Sequence, residues 1–375
     1  MSGSRPDPIQ RAAESGRDLY DVATWERRSV LDGIATRVYG ALVTSGRAIV
    51  VGLALLILLG QIALVGAALT QDPIIGVYIF ASIVPAMVIA VYVWRSDVTT
   101  PQPLDSLVVT FLLGFLFASF AAVVNSSLQG LFFAFGPIGI GLFFYLIVAP
   151  IEETVKWLAI RLYGYRREEF SAVIDGAVYG AVAGLGFATI ENTIYITQQY
   201  LQTAATSATG TPLVPTLQTA AVRSFAGPGH VIYSAFAGYY LGLAKFNPEN
   251  RGPIVVKGLL IAAFIHGTYN VLVSNLEVGL ALLSPVVAIP AGLGFVLFVV
   301  VYDGVFLLAL YTKIRTYGRL FAETGAAAVY GDEGAGDEEG DLPGDVAEPG
   351  DGDDVSDTEE VGEDAAGNGA ADQSN

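Results

Sequence analysis

Eight stretches of this chain are each long and apolar enough to cross a lipid bilayer, and no water-soluble fold accommodates that many. The hydrocarbon core of a bilayer is spanned by about 20 apolar residues in helix. Such windows fall near residues 48–70, 73–95, 104–124, 138–162, 172–197, 219–244, 254–275 and 286–312. Inside lipid the backbone has to satisfy its own hydrogen bonds, so windows of this kind fold as helices packed side by side. Composition agrees, with 53% hydrophobic residues and only 15% charged, where soluble domains average about 25% charged. The expected fold is therefore an all-α polytopic membrane protein, a bundle of about eight transmembrane helices.

The basic residues test this layout independently, because cytoplasmic segments of membrane proteins accumulate Lys and Arg. Seventeen of the 19 fall in alternate segments: the N-terminal arm, Arg95, the group Arg161, Arg166 and Arg167, the group Lys245, Arg251 and Lys257, and finally Lys313, Arg315 and Arg319. The connections between them contain none, which puts both termini of a multi-pass cell-membrane protein in the cytoplasm. The division that follows is a cytoplasmic arm over 1–47, two N-terminal transmembrane helices over 48–103, a core over 104–313 and a cytoplasmic tail over 314–375. From Gly331 onward the tail holds 17 of the 36 acidic residues and no basic one. Without aromatics to bury it is expected to be disordered. The net charge of −17 makes nucleic acid an unsuitable partner, and with the preference for Arg over Lys it suggests a halophilic host. Cysteine is absent, which excludes thiolate chemistry and disulfides, and no short apolar core with a cleavage site marks a signal peptide.

Polar residues inside the spans are few and grouped. The stretch "PIEETVKW" places Glu152, Glu153 and Lys156 at the end of an apolar run, although one charge at bilayer depth costs roughly 2.5–3.5 kcal/mol. The spacing pairs Lys156 with Glu152 one helical turn away and leaves Glu153 available for proton transfer. Glu191 and Asn192 lie in "GFATIENTIY", His230 and Ser234 in "GHVIYSAFAGYYLG", and His266 and Asn270 in "FIHGTYN". Pro150 and Pro228 precede two of these groups; proline frees a backbone carbonyl, which at membrane depth persists only inside protein or beside water. The segment "GLFFAFGPIGIG" reads as a re-entrant piece, and residues 198–218, rich in Ser, Thr, Gly and Pro, read as an irregular outer loop that gates substrate access.

Four motifs in order, "EETVK", "FATIEN", "GHVIYSAFAGYYLG" and "HGTYN", resemble those of the PrsW family of intramembrane proteases, which is distantly similar to CAAX-prenyl-protease-like enzymes. The resemblance covers about residues 105–312. It implies hydrolysis of a peptide bond in a membrane-anchored protein substrate, with roles for Glu152, Glu153, Glu191, His230 and His266. Two chemistries fit these residues. In one, His230, His266 and Glu191 hold a zinc ion and Glu152 or Glu153 takes a proton from water. In the other there is no metal: a glutamate activates water, and histidine with Asn270 stabilises the oxyanion. The two-imidazole, one-carboxylate inventory favours the metal.

The bland readings are a structural salt bridge for the carboxylates with Lys156, and interhelical hydrogen bonding for His266 with Asn270. Gly176, Gly180, Gly184 and Gly186 read as a packing face, Arg223 as an interfacial anchor, and Asp175 and Asp303 as polar positions without an assigned role. An ion- or proton-coupled transporter is the rival from another class, since the same side chains build ion pathways; the repeated halves common in such folds are not found. Tail labelling tests the topology: a membrane-impermeant reagent should modify the tail only after cells are opened, and modification in intact cells would invert it.

Overall fold

The computed structural model describes residues 18, 20, 26–99, 102–206 and 212–324. The expected disordered tail lies outside the described residues. The described elements are helices: α1 Val30–Gln71, α2 Ile74–Arg95, α3 Leu104–Phe133, α4 Gly136–Phe143, α5 Ala149–Leu162, α6 Val173–Thr206, α7 Leu213–Lys245, α8 Arg251–Ser274, α9 Leu276–Leu283 and α10 Ala291–Glu323. At the start of α1, Ser29 and Asp32 form a reciprocal capping box. Hydrogen bonds from Tyr20, then Ser29, hold the Asp32 carboxyl well below the usual carboxylate range.

Every apolar window of the sequence falls largely on helix. Among the described residues, six helical segments are long and apolar enough to cross a membrane: Ile74–Arg95, Leu104–Phe133, Gly136–Arg166, Val173–Thr206, Pro248–Ser274 and Ala291–Glu323. The first window belongs to α1, whose described apolar part is Leu56–Gln71. The sixth belongs to α7, which is more polar than these six yet buries most of its second half. Helix α6 is the axis of the bundle: 78% of its apolar window is buried, against 22% for α2 and for α10 at the periphery.

Two expectations change. "GLFFAFGPIGIG" is not a re-entrant loop: α3 runs through Phe133, Gly136 turns the chain at φ +62°, and α4 continues through a π-helical turn over Phe144–Val148 into α5 as one rod. Residues 198–206 and 213–218 extend α6 and α7 rather than forming a loop; of the remaining residues 207–212 in that stretch, 207–211 are outside the described residues.

The glycine face does what its spacing suggests. A Cβ on Gly176, Gly180 or Gly184 would lie 2.1, 2.3 or 2.4 Å from the carbonyl oxygens of Gly238, Ser234 and His230 respectively, so α6 and α7 touch backbone to backbone. Gly186 faces the Phe111 carbonyl of α3 in the same way, at 2.1 Å. The seam therefore fixes the height of His230 on α7 against α6. Asp175 closes the N-terminal end of α6 by accepting from the Ser171 and Ala172 amides at 2.7 and 2.8 Å.

The basic connections gather at one end of the bundle. Lys245 donates to the carbonyls of Tyr165 and Phe170 at 3.0 and 2.7 Å, Gln102 donates to that of Glu169 at 3.3 Å, and the Lys313 ammonium lies 5.1 Å from the Tyr239 ring centroid. The segments after α2, α5 and α7 and the last turns of α10 are thus neighbours, as the alternation of charge requires.

Gly180→Ala should lower the unfolding midpoint in detergent, with overpacking of the seam costing about 1–3 kcal/mol. Gly130→Ala, whose Cβ meets nothing within 4 Å, should leave it unchanged or slightly higher.

Candidate active site

Helix α5 begins with Pro150 in its first turn. The ring has no N–H and crowds the carbonyl of Leu146, and the helix accommodates this by widening into the π-helical turn just before it. One turn later Lys156 is fully buried. Its ammonium lies 2.7 Å from Glu153 Oε1 and 4.0 Å from Glu152 Oε2, so the tight pair is with Glu153, not with Glu152 as helical spacing suggests. The ammonium also lies 2.9 Å from His230 Nδ1 and 4.2 Å from the Phe187 ring centroid.

With Lys156 as an ammonium and both rings neutral, these contacts assign the histidine tautomers. An ammonium only donates, so His230 Nδ1 accepts from Lys156 and Nε2 carries the hydrogen that faces Glu191 Oε2 at 2.7 Å. His266 Nδ1 donates to Glu153 Oε1 at 2.9 Å, which turns its unprotonated Nε2 toward Glu152 Oε2 at 3.8 Å. The two imidazoles stand edge to face with centroids 5.3 Å apart.

Glu152 accepts from the Asn125 amide at 3.0 Å through Oε1. Its Oε2 is buried with no hydrogen-bond partner, an expensive state for a carboxylate oxygen. Among the described residues, Glu152, His230 and His266 form the group whose ligand atoms all lie within 4.8 Å of one another. Glu191, expected as a ligand with the two histidines, lies beside His230 and is also held by a cation: Arg223 Nη2 donates to its Oε2 at 2.6 Å. Arg223 Nε donates to Asn192 at 2.8 Å, and Asn192 in turn bonds the Ser82 carbonyl at 3.1 Å.

A cavity of 940 Å³ opens onto this cluster, within the range of sites that enclose drug-sized ligands, about 300–1,000 Å³. Glu152, Glu191, His230, His266 and Asn270 line it, together with Arg223 and Asn125. Glu153 does not; it lies behind, fully buried between Lys156 and His266. The six expected site residues thus converge, with five on the cavity and one beneath it. Arg223 is largely buried in the cluster rather than anchoring at an interface. The signal for it was present, since with Lys156 it is one of the two basic residues that break the alternation. Asn125 lies just past the 104–124 window with no motif around it, and Tyr233, which donates to Asp303 at 2.6 Å beside His266, lies inside the stretch "GHVIYSAFAGYYLG", where spacing marks only His230 and Ser234.

The chain matches the family model described as PrsW family intramembrane metalloprotease over residues 102–305. Protease PrsW of Geobacillus kaustophilus is 29% identical over 192 residues, covering 51% of this chain and 77% of that protein. Protease PrsW of Halalkalibacterium halodurans is 28% identical over 190 residues, 51% and 80% of the two chains, and Protease PrsW of Bacillus subtilis is 26% identical over 202 residues, 53% and 84%. No solved structure matches.

Removing the buried cation isolates its structural part. Lys156→Met should destabilise the protein by about 3–5 kcal/mol, because Glu153 is left buried and unpaired. Adding Glu153→Gln should restore much of that loss, and denaturation midpoints of the four chains in detergent measure the coupling.

Proposed function

The chain belongs to the PrsW family of intramembrane metalloproteases, and from that premise we propose that Glu152, His230 and His266 are its metal ligands and Glu191 its general base. It is a multi-pass membrane peptidase, and its substrate class is protein in a membrane. The observation that carries the finer reading is the buried, unpartnered Oε2 of Glu152, on a residue whose ligand atom lies within 4.8 Å of those of two imidazoles. Two nitrogens and one carboxylate oxygen are a donor set suited to a zinc ion with an open position, and when bound such an ion supplies Lewis acidity to the reacting carbonyl and water.

The protein's own residues supply the rest. Glu153 orients His266 by accepting from Nδ1, so that Nε2 faces the cavity, the arrangement by which outer carboxylates hold metal-binding imidazoles. Lys156 fixes the His230 ring through Nδ1. Glu191 accepts from His230 Nε2 and from Arg223; for Nε2 to act as a ligand its hydrogen would leave through the cavity while Nδ1 took a proton from Lys156, and Glu191, still held by Arg223, would then be free to take a proton from water at Oε2. Asn270, on the same wall, offers its amide N–H to the oxygen that gains negative charge. This assignment departs from the set drawn from the family resemblance, in which Glu191 is the carboxylate ligand and Glu152 or Glu153 the base. The metal-free reading keeps the same residues, with a glutamate activating water. Charge alternation supports cytoplasmic termini, and the core over 104–313 is the hydrolytic unit in this reading.

Elemental analysis beside cleavage of a membrane-anchored substrate tests the assignment. Alanine at Glu152, His230 or His266 should remove both metal and activity. Glu191→Gln should keep the metal and lower kcat by about 10²–10⁴-fold, and Glu153→Gln should weaken metal affinity by about 10–100-fold. Stoichiometric metal retained by His266→Ala would overturn the ligand set, and full activity in chelator would move the chemistry to the metal-free form.

A further inference from the structure

Beside the catalytic cavity lies a second one, a groove of 640 Å³ between α1, α3 and α6. The two are continuous, since Ala122, Ser126, Ile194 and Gln198 line both. Its wall on α1 is a single helical face, Ile57, Gly60, Gln61, Leu64 and Val65, and α1 lies outside the family-matched region. The groove is mostly apolar yet contains polar groups that nothing in the bundle explains. Thr197 is 3% exposed and its hydroxyl has no hydrogen-bond partner, although Thr189, Thr193 and Thr203 on the same helix all bond the carbonyl one turn back, at 2.7–2.9 Å. Ser119 donates to Gln61 Oε1 at 2.6 Å, which leaves the Gln61 amide N–H groups to donate elsewhere.

We propose that this groove receives a membrane-spanning segment of the protein substrate and pairs its backbone as the segment leaves helical form on the way to the cavity. The proposal rests on the peptidase reading of that cavity. A peptide bond inside a helix is shielded, so a spanning substrate has to unwind locally before hydrolysis. Its released N–H and C=O groups then need partners, which lipid does not supply. The Thr197 hydroxyl and the Gln61 amide provide a donor and acceptor strip of that kind, leading to Ser126 at the junction of the two cavities. An acyl chain would fill the apolar part and leave Thr197 unpaired.

The absence of cysteine allows a direct test, because a single introduced thiol reports alone. A Cβ at Gly60 or at Gly66 meets nothing within 4 Å, so both positions accept substitution. At about 100° per residue Gly66 points away from the groove face. The full-length chain carrying Glu152→Gln, with either Gly60→Cys or Gly66→Cys, is reconstituted in phosphatidylcholine vesicles. The probe is a synthetic single-span peptide of about 20 apolar residues with one cysteine beside a central Gly-Pro pair that loosens its helix. Disulfide cross-linking at Gly60→Cys should exceed that at Gly66→Cys by about ten-fold, the ratio for 1.4 kcal/mol of site preference. It should fall when Thr197→Val is added or when a uniform polyleucine span replaces the probe. Equal yields at the two positions, or equal yields from the loosened and uniform spans, overturn the proposal, as does a phospholipid bound in the groove that the peptide cannot displace. Cross-linking needs no turnover. Cleavage is read separately on the chain with Glu152 intact: capture here with no cleavage by that chain would sink the peptidase reading and leave the groove standing, and cleavage without positional preference in cross-linking would do the reverse.

Discussion

Lys156 is a basic side chain on a membrane-embedded helix with no exposed surface, and the arrangement of the site follows from the need to hold it there. An isolated charge at that depth costs at least about 2.5–3.5 kcal/mol on the most lenient scale. It is offset by three groups from three helices: Glu153 on α5, His230 on α7 and the ring of Phe187 on α6. Because an ammonium can only donate, satisfying it determines which nitrogen of His230 bears hydrogen. The carboxylate that Lys156 holds in place, Glu153, also accepts from His266 on α8. One buried cation thus sets ring orientation and tautomer at both histidines.

That network requires helices at fixed heights, and the glycine seam provides them. His230 itself supplies one of the carbonyl oxygens that Gly184 of α6 meets at backbone distance, so any side chain there would move the imidazole as well as separate the helices. A seam of small residues is a common device where lipid gives no hydrophobic drive for helix association. Here it also sets the geometry of the site.

Much of this was legible in the sequence for an identifiable reason. Charged and imidazole side chains are so costly in apolar spans that their positions alone mark the site, and the positive alternation orders the spans. What spacing could not resolve is which partner each polar group takes. Glu152 and Glu153 are both within a turn of Lys156, and the i,i+4 rule favours the pair that the fold does not make tight, since His266 from α8 binds Glu153 and reinforces that side. Arg223 reads as an anchor near a helix end because its partners Glu191 and Asn192 are on another helix. Glu191 looks like a ligand by residue type, yet the guanidinium that neutralises it comes from 32 positions later in the chain. The re-entrant reading failed similarly: Gly and Pro mark a turn, but the chain resumes helix on both sides of it.

The adjacency of two carboxylates then has a physical meaning. Consecutive residues on a helix point about 100° apart, so "EE" cannot present both groups to one place. Glu153 faces inward and is committed to Lys156 and His266, whereas Glu152 faces the cavity with one oxygen bonded to Asn125 and the other without a partner. A buried unpartnered carboxylate oxygen is the most costly feature of the site, and nothing in the packing requires it, because Glu152 could be replaced by an apolar residue without breaking the Lys156 pair. Structural need accounts for one glutamate of the two. The other faces the cavity, where the proposed chemistry would use it either as a ligand or as the group that activates water.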